Sequence, residues 1–312
     1  MKKILILMIE VGSSHKMSAL AVKDAIEKIA PDRYQIKVMD FAKEVGALNT
    51  DRFLKNSWDT ALAHPNITKV INRAIDVFFP ITHSRNLLKV LFRKFTQKGI
   101  EFIRENQPDI VYTTHFFCSS IAAIAKERYH LPFEVINTMT DPFFGHKMLI
   151  DNHLDYVLAA NPIAADYLIN NGMKKEKVKI IPLPIHSKFF KVIGDKDYIR
   201  AKFNLDKNKL TLLVSAGGQG IGKSEEYIEA IFHRALPINI IAVCGNNQNL
   251  FHRLQTLKIV LLSPRFLLLL SHPQAYSDSQ ALEPNPLRLE VQYSLWISDP
   301  NHGKGIYYFV LF

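Results

Sequence analysis

The feature that most constrains this chain is the stretch Ser215-Ala216-Gly217-Gly218-Gln219-Gly220-Ile221-Gly222-Lys223-Ser224. An apolar run at 210–214 leads into it, and an amphipathic run at 225–232 leads out. That is a strand, a glycine turn and a helix start. Such a layout offers backbone N–H groups and a positive helix end to a phosphate. Gly217-x4-Gly222-Lys223-Ser224 satisfies the Walker A pattern of an ATP- or GTP-binding P-loop. The same residues also suit the diphosphate of a nucleotide-sugar. A P-loop needs a partner aspartate for magnesium, usually at the end of a neighbouring apolar strand. The candidate strands 238–243 and 259–262 end in Cys244-Gly245 and Ser263-Pro264, without an acid. About two-thirds of the chain precedes the motif, whereas a P-loop domain usually carries it after its first strand.

What precedes it is an alternation of strands and helices. Residues 4–9 are continuously apolar, as in a parallel strand covered on both faces. A polar turn, Val11-Gly12-Ser13-Ser14-His15-Lys16, leads to a helix predicted at 17–30 and a strand at 34–39. Residues 51–79 and 85–105 are predicted helical, with Pro80 and His83 in the break. Leu87, Leu88, Val90, Leu91, Phe92 and Phe95 form an apolar band accompanied by Arg85, Lys89, Arg93, Lys94 and Lys98. That band is either core packing with a solvated basic face or an interfacial patch for anionic lipid. Strands follow at 109–113, 133–137, 156–159 and 178–181, with helices at 119–127 and 162–170. A second series runs through 210–214, 225–232, 238–243, 249–257 and 259–262. Repeated alternation implies parallel sheets with helices on both faces.

The expected architecture is α/β: two Rossmann-like domains facing a cleft, the second incomplete. The first domain is placed at 1–185, a linker at 186–209 and the partial second domain at 210–262. An aberrant tail without clear fold covers 263–312, because its apolar run at 266–270 and its last six residues show no β-α rhythm.

Composition narrows the partners. The formal net charge of +10 favours an anionic partner, but no dense Lys/Arg block with interleaved aromatics points to nucleic acid. Cys118 and Cys244 are far apart and neither lies in a CxxC, so neither a disulfide framework nor a zinc site is expected, and a reducing cytosol fits. Lys2-Lys3 before an apolar run of residues 4–9 is too short for a signal peptide. No segment reaches transmembrane length, so any membrane contact is expected from the surface.

Several motifs carry a resemblance. Gly12-Ser13-Ser14-His15-Lys16-Met17-Ser18-Ala19 resembles the glycine-histidine-alanine turn of the monogalactosyldiacylglycerol synthase and bacterial diacylglycerol glucosyltransferase family. These are GT-B glycosyltransferases related to the murein-pathway lipid glycosyltransferase. Pro108-Asp109-Ile110-Val111-Tyr112-Thr113-Thr114-His115 is similar to their Pro-Asp strand ending in Thr-His. Thr140-Asp141 with His146 resembles their Thr-Asp…His segment. Ala216 to Gly222 is similar to their glycine-rich donor loop, in which Pro usually stands where Lys223 is here. Val243-Cys244-Gly245-Asn246-Asn247-Gln248-Asn249-Leu250 resembles their Cys-Gly-Arg-Asn…Leu segment, with Asn246 in place of Arg. The resemblance covers residues 1–257.

It implies inverting transfer of a hexose from UDP-glucose or UDP-galactose to the 3-hydroxyl of diacylglycerol. The expected place is an anionic membrane surface, with the protein peripheral on the cytoplasmic face. No cofactor or metal beyond the UDP-sugar substrate is expected. His15 is the candidate base and Asp141 an orienting group or alternative base. Gly12, His115 and His146 are assigned to the acceptor. Gly217, Gly218, Gly220, Gly222 and Asn247 are assigned to the donor. A histidine in a turn also serves as a surface or capping residue, and glycines also make plain tight turns. The family's later donor-domain segments find no counterpart after Leu257, so the tail reads as a shifted frame or a truncated paralogue. Two alternatives stay open: a P-loop NTPase through 217–224, and a non-catalytic lipid-surface binding protein.

Overall fold

A computed structural model of the chain describes residues 1–64, 84–190, 195–215, 217–234, 236–260, 267–271, 295–297 and 307–311. They divide into two compact units, Met1–Ser187 and Lys188–Phe312.

The first unit is a parallel six-stranded sheet with β1 (Lys2–Met8), β2 (Tyr34–Asp40), β3 (Ile110–Thr113), β4 (Glu134–Thr138), β5 (Tyr156–Ala159) and β6 (Val178–Ile180). Its order is β2-β1-β3-β4-β5-β6. Its helices are α1 (Ser14–Ile29), α2 (Phe41–Glu44), α3 (Leu48–Ala63), α4 (Ser84–Leu91), α5 (Arg93–Asn106), α6 (Phe116–Tyr129) and α7 (Pro162–Asn170). The uninterrupted apolar run of β1 now has its reason. Ile4, Ile6 and Met8 pack on one face with Ala19 of α1, while Leu5 and Leu7 pack on the other with Phe95, Ile103 and Ile121 of α5 and α6. A strand buried on both faces has no polar side to alternate.

This order fixes where a ligand can sit. From β1 the chain steps to β2 on one side and later to β3 on the other. The loops at the carboxyl ends of β1 and β3 therefore diverge and leave a crevice, the usual ligand position in open α/β sheets. The loop after β1 carries Gly12 and leads into His15 in the first turn of α1, and the loop after β3 carries Thr114 and His115.

The second unit has α8 (Lys196–Lys202), β7 (Leu210–Ser215), α9 (Ser224–His233), β8 (Ile238–Val243), α10 (Gln248–Val260), β9 (Leu267–Ser271), β10 (Leu295–Ile297) and β11 (Tyr307–Leu311). The sheet order is β10-β11-β7-β8-β9, with β7, β8 and β9 parallel and β11 antiparallel to β7. Leu212, Val214, Ile240 and Ala242 pack against Ile228 of α9 and Leu250 and Leu254 of α10.

Two expectations need correction. Ile259 and Val260, expected to open a strand, end α10 instead, and the rest of that expected strand lies outside the described residues; the next described strand is Leu267–Ser271. A short apolar run fits either element, and no helix breaker comes before Pro264. Within the tail from 263, expected to lack a clear fold, the described residues are those of β9, β10 and β11. The long helix expected at 51–79 spans Leu48–Ala63, and its remainder lies outside the described residues.

Candidate functional site

The first site grows from the β1–α1 turn. Gly12 adopts φ +71, a left-handed backbone that side-chain-bearing residues rarely take. A Cβ there would lie 3.4 Å from the indole nitrogen of Trp58 on α3. That helix is fastened to the end of β2 by Lys55, whose Nζ lies 2.8 Å from Asp40 Oδ2 and 2.7 Å from Asp51 Oδ1. The turn is thus pressed between the strand ends and α3, and α1 starts at Ser14 with His15 in its first turn.

The half-buried His15 is held by one residue at two points. Its Nδ1–H donates to the Thr114 carbonyl at 2.5 Å, and Thr114 Oγ1 donates back to the His15 carbonyl at 3.2 Å. Thr140 Oγ1 lies 3.4 Å from the same Nδ1. With Nδ1 carrying the proton, Nε2 keeps its lone pair. Burial outweighs the carbonyl hydrogen bond and lowers the imidazole from its ordinary 6.5 to about 4. At neutral pH the ring is uncharged and able to accept a proton.

His115 packs beside it, ring centroids 5.0 Å apart. It caps α6, its Nδ1 accepting the Phe117 N–H at 3.2 Å, so its proton sits on Nε2. Burial, then the neighbouring His15 and His146, hold it well below the ordinary histidine value. His146 repeats the capping at Lys147–Leu149, its Nδ1 accepting the Met148 N–H at 3.3 Å. Phe116 stacks on His115 at 4.4 Å and faces His146 at 5.8 Å. The three imidazoles therefore divide by tautomer: His15 presents a lone pair, while His115 and His146 present N–H donors. Asp141 follows Thr140 on the exposed loop after β4, where partial desolvation raises its carboxyl above the usual value.

The structure brings Gly12, His15, His115 and His146 into one neighbourhood. The group that orients His15 is a backbone carbonyl, Thr114, rather than a carboxylate. Thr114, Thr140 and Trp58 were not picked out as functional residues. Thr114 and Thr140 stand beside assigned residues in the Thr-Thr-His and Thr-Asp motifs, but no local pattern marks Trp58.

The second site is made of backbone. Gly217, Gly220 and Gly222 have φ of +68, +63 and +132. A Cβ on Gly220 would overlap the Cys244 carbonyl oxygen, and one on Gly245 would overlap the carbonyl oxygens of Gly217 and Gly218. The loops after β7 and β8 thus interlock where only glycine fits. The Asn246 N–H donates to the Gly218 carbonyl at 2.8 Å. Asn247 ties the loops from its side chain: Nδ2 donates to the Gly220 carbonyl at 2.8 Å, and Oδ1 accepts the Leu250 N–H at 2.9 Å. Nothing crowds a Cβ on Gly217. Lys223 pairs with Glu226, and Arg253 with Glu225 at 2.6 Å. Among the described residues no three His, Cys, Asp or Glu side chains gather as metal ligands, and no helix is long and apolar enough to cross a membrane.

The family model for monogalactosyldiacylglycerol (MGDG) synthase matches residues 15–185. The chain belongs to the MGDG synthase family. A probable monogalactosyldiacylglycerol synthase 2, chloroplastic, from Oryza sativa subsp. japonica is 25% identical over 264 residues, covering 82% of this chain and 55% of that protein. A processive diacylglycerol beta-glucosyltransferase from Staphylococcus carnosus is 25% identical over 261 residues, covering 80% of this chain and 61% of that protein. The chain thus spans about half the length of the curated relatives it matches. Among solved structures, Anabaena HepE in complex with UDP aligns with a TM-score of 0.51 at 16% identity, over 88% of this chain and 71% of that one. The likeness is one of fold, and the fold of this MGDG synthase family member is GT-B.

Proposed function

We propose that this chain carries out inverting transfer of a hexose from UDP-glucose or UDP-galactose to the 3-hydroxyl of diacylglycerol. The observation that carries this reading is the pairing of His15 Nδ1–H with the Thr114 carbonyl, which leaves Nε2 unprotonated at the end of β1. An alcohol is a poor nucleophile at neutral pH and needs a base at its proton. In the proposed step the acceptor oxygen attacks the anomeric carbon from the face opposite the diphosphate. Its proton passes to His15 Nε2, the carbon–oxygen bond to UDP breaks, and UDP leaves with the electron pair. The N–H groups of the glycine loop and the start of α9 take up the charge on the leaving group, with no metal or other cofactor. His115 and His146 supply N–H donors to the glycerol oxygens, and Asp141 is the second candidate base.

The names of the relatives support the acceptor, since both the plant and the bacterial groups are named for diacylglycerol chemistry. The plant names carry galactose and the bacterial names glucose, so both donors belong in the test. We place the protein peripherally on the cytoplasmic face of a membrane, where the basic residues Lys89, Arg93, Lys94 and Lys98 would meet anionic lipid.

The test is transfer to dioctanoylglycerol with each UDP-hexose in turn, by the chain and by His15→Asn. Transfer that falls on the order of 10²–10⁴-fold in the variant supports His15 as the base. Undiminished transfer by the variant moves that role to Asp141. Liposome binding with no transfer to any acceptor would leave a lipid-surface binding protein instead.

A further inference from the structure

The carboxylate of Asp40 ties two segments to one point. Asp40 closes β2 and pairs in register with Met8, the last residue of β1. The residue is 7% exposed. Its Oδ2 accepts a hydrogen bond from Lys55 Nζ at 2.8 Å, and the Glu10 backbone N–H faces the same carboxylate and stabilises its charge. Its Oδ1 is shielded from solvent and makes no hydrogen bond. Lys55 also reaches Asp51, one turn earlier, at 2.7 Å, so a single ammonium holds α3 against the end of β2. α3 in turn lays Trp58 over Gly12. On the far side of the turn, Glu10 Oε1 accepts a hydrogen bond from Lys16 Nζ at 2.7 Å. Residues 10–16 are therefore gripped before and after Gly12, with His15 inside the grip.

Such a pair is a poor source of stability. A carboxylate taken out of water loses hydration, and here one of its oxygens gains no hydrogen bond in return. An apolar pair of similar size would fill the space without that loss. An ion pair supplies what an apolar pair does not, a fixed distance between two defined atoms. We propose that the Asp40–Lys55 pair is a positioning device for His15, holding the β1–α1 turn in place through Glu10 and through Trp58 on Gly12. The inference rests on the base reading above and adds what keeps the base in register. Thr114 fixes the ring from β3, on one side of β1. That contact leaves the backbone at 10–12 free to bend at the left-handed Gly12. Asp40 comes from β2, on the other side of β1, so the turn is held from both neighbouring strands. Glu44 sets Asp40 itself, its Oε1 accepting the Asp40 N–H at 3.0 Å.

The experiment is steady-state transfer to dioctanoylglycerol by the full chain carrying Asp40→Asn and Lys55→Met together, which removes both charges and strands neither. The urea midpoint should match the parent, kcat should fall on the order of 10–10²-fold, and KM for the UDP-hexose should hold. The acid limb of kcat/KM should rise from about 4 toward 6.5 as the ring loses its close packing against Thr114, Thr140 and His115. A purely structural tie would move the midpoint and leave that limb in place. Lys55→Arg, which keeps a cation on Asp40, should retain most of kcat. The decisive arm adds His15→Asn. Positioning acts through His15, so removing the pair should cause no further loss in that background. A further loss of the same size there overturns the inference, and so does a folded pair variant with the parent's kcat and acid limb; either result leaves His15 standing as the base. Undiminished transfer by His15→Asn alone overturns the base reading and the inference with it. If the pair variant does not fold, Trp58→Ala decides, because it cuts the link at a residue that is 40% exposed and carries no charge. An unchanged kcat in Trp58→Ala overturns the inference, and a fall that vanishes in the His15→Asn background supports it.

Discussion

The turn after β1 and the loop after β7 occupy the same place in their two units, yet they are built from different materials. Each follows the first strand of a parallel array and opens a helix. The turn after β1 spends one left-handed glycine, Gly12, on its shape and then presents a side chain, His15, whose proton position is fixed by Thr114. The loop after β7 presents backbone, with left-handed glycines at 217, 220 and 222 locked onto the loop after β8. Its one cationic side chain, Lys223, pairs with Glu226. A side chain with a defined tautomer can move a proton. Clustered N–H groups at a helix start can hold an anion but have no proton to trade. On the proposed reading, the same topological position would serve chemistry in one unit and binding in the other.

The sharpest way to break that contrast is to cross two substitutions. His15→Asn should lower transfer on the order of 10²–10⁴-fold while leaving UDP affinity, measured by calorimetry, unchanged. Gly220→Ala should do the reverse. A Cβ there meets the Cys244 carbonyl, so the two loops must separate, and the left-handed backbone adds roughly 1–2 kcal/mol for a non-glycine residue. UDP binding should weaken by about tenfold or more, and denaturation of the second unit should shift with it. If UDP affinity falls in the His15 variant and holds in the Gly220 variant, the assignment of chemistry and binding to the two loops is reversed.

A smaller effect sharpens the first half of the contrast through pH. His15 is held at about 4, so the acid limb of kcat/KM should lie well below the 6.5 of an ordinary histidine, with activity level from pH 8 down to about 5.5. Stability runs in a fixed direction. Between pH 6.5 and 4 the unfolded chain protonates this histidine and the folded chain does not, so stability falls as pH falls through that window and levels off below it. His115 is shifted in the same direction and steepens the loss. An acid limb near 6.5 that disappears in His15→Asn would show that His15 titrates as an exposed ring.

Much of the scaffold was legible because it is local. Buried parallel strands leave apolar runs, and those at 4–9, 34–39, 109–113, 156–159, 210–214 and 238–243 became β1, β2, β3, β5, β7 and β8. The helix predicted from 17 starts at Ser14, so His15 lies inside it rather than in the turn before it. The apolar run from 259 misled because such residues fit the end of a helix as well as a strand. The parts of the sites that stayed hidden are long-range backbone contacts. Thr114 reaches His15 across 99 residues through a carbonyl that every residue carries. The fit of Gly220 against Cys244 needs two loops to meet, and sequence shows only that both contain glycine. Trp58 carries no motif at all and matters only because α3 lays it over Gly12.

Lys223 gives the smallest effect and the last discrimination. It completes a Walker A pattern, and in a nucleotide-triphosphate site its ammonium would contact the terminal phosphates. Here it forms an exposed i,i+3 pair with Glu226, a type of contact that contributes about 0.2–1 kcal/mol. Such a pair is weak enough to be exchanged for a phosphate, so the bridge alone does not decide between the two ligands. The surroundings do more. Val243, at the end of β8, is followed by Cys244, a buried thiol raised to about 11, where a magnesium-binding acid would be needed. If the loop binds UDP as proposed, Lys223→Ala should change UDP affinity by less than about threefold, since the N–H groups assigned to the diphosphate are left in place by the substitution. Magnesium-dependent ATP binding by the parent chain, abolished in the same variant, would return the loop to the P-loop class and remove the donor side from the comparison.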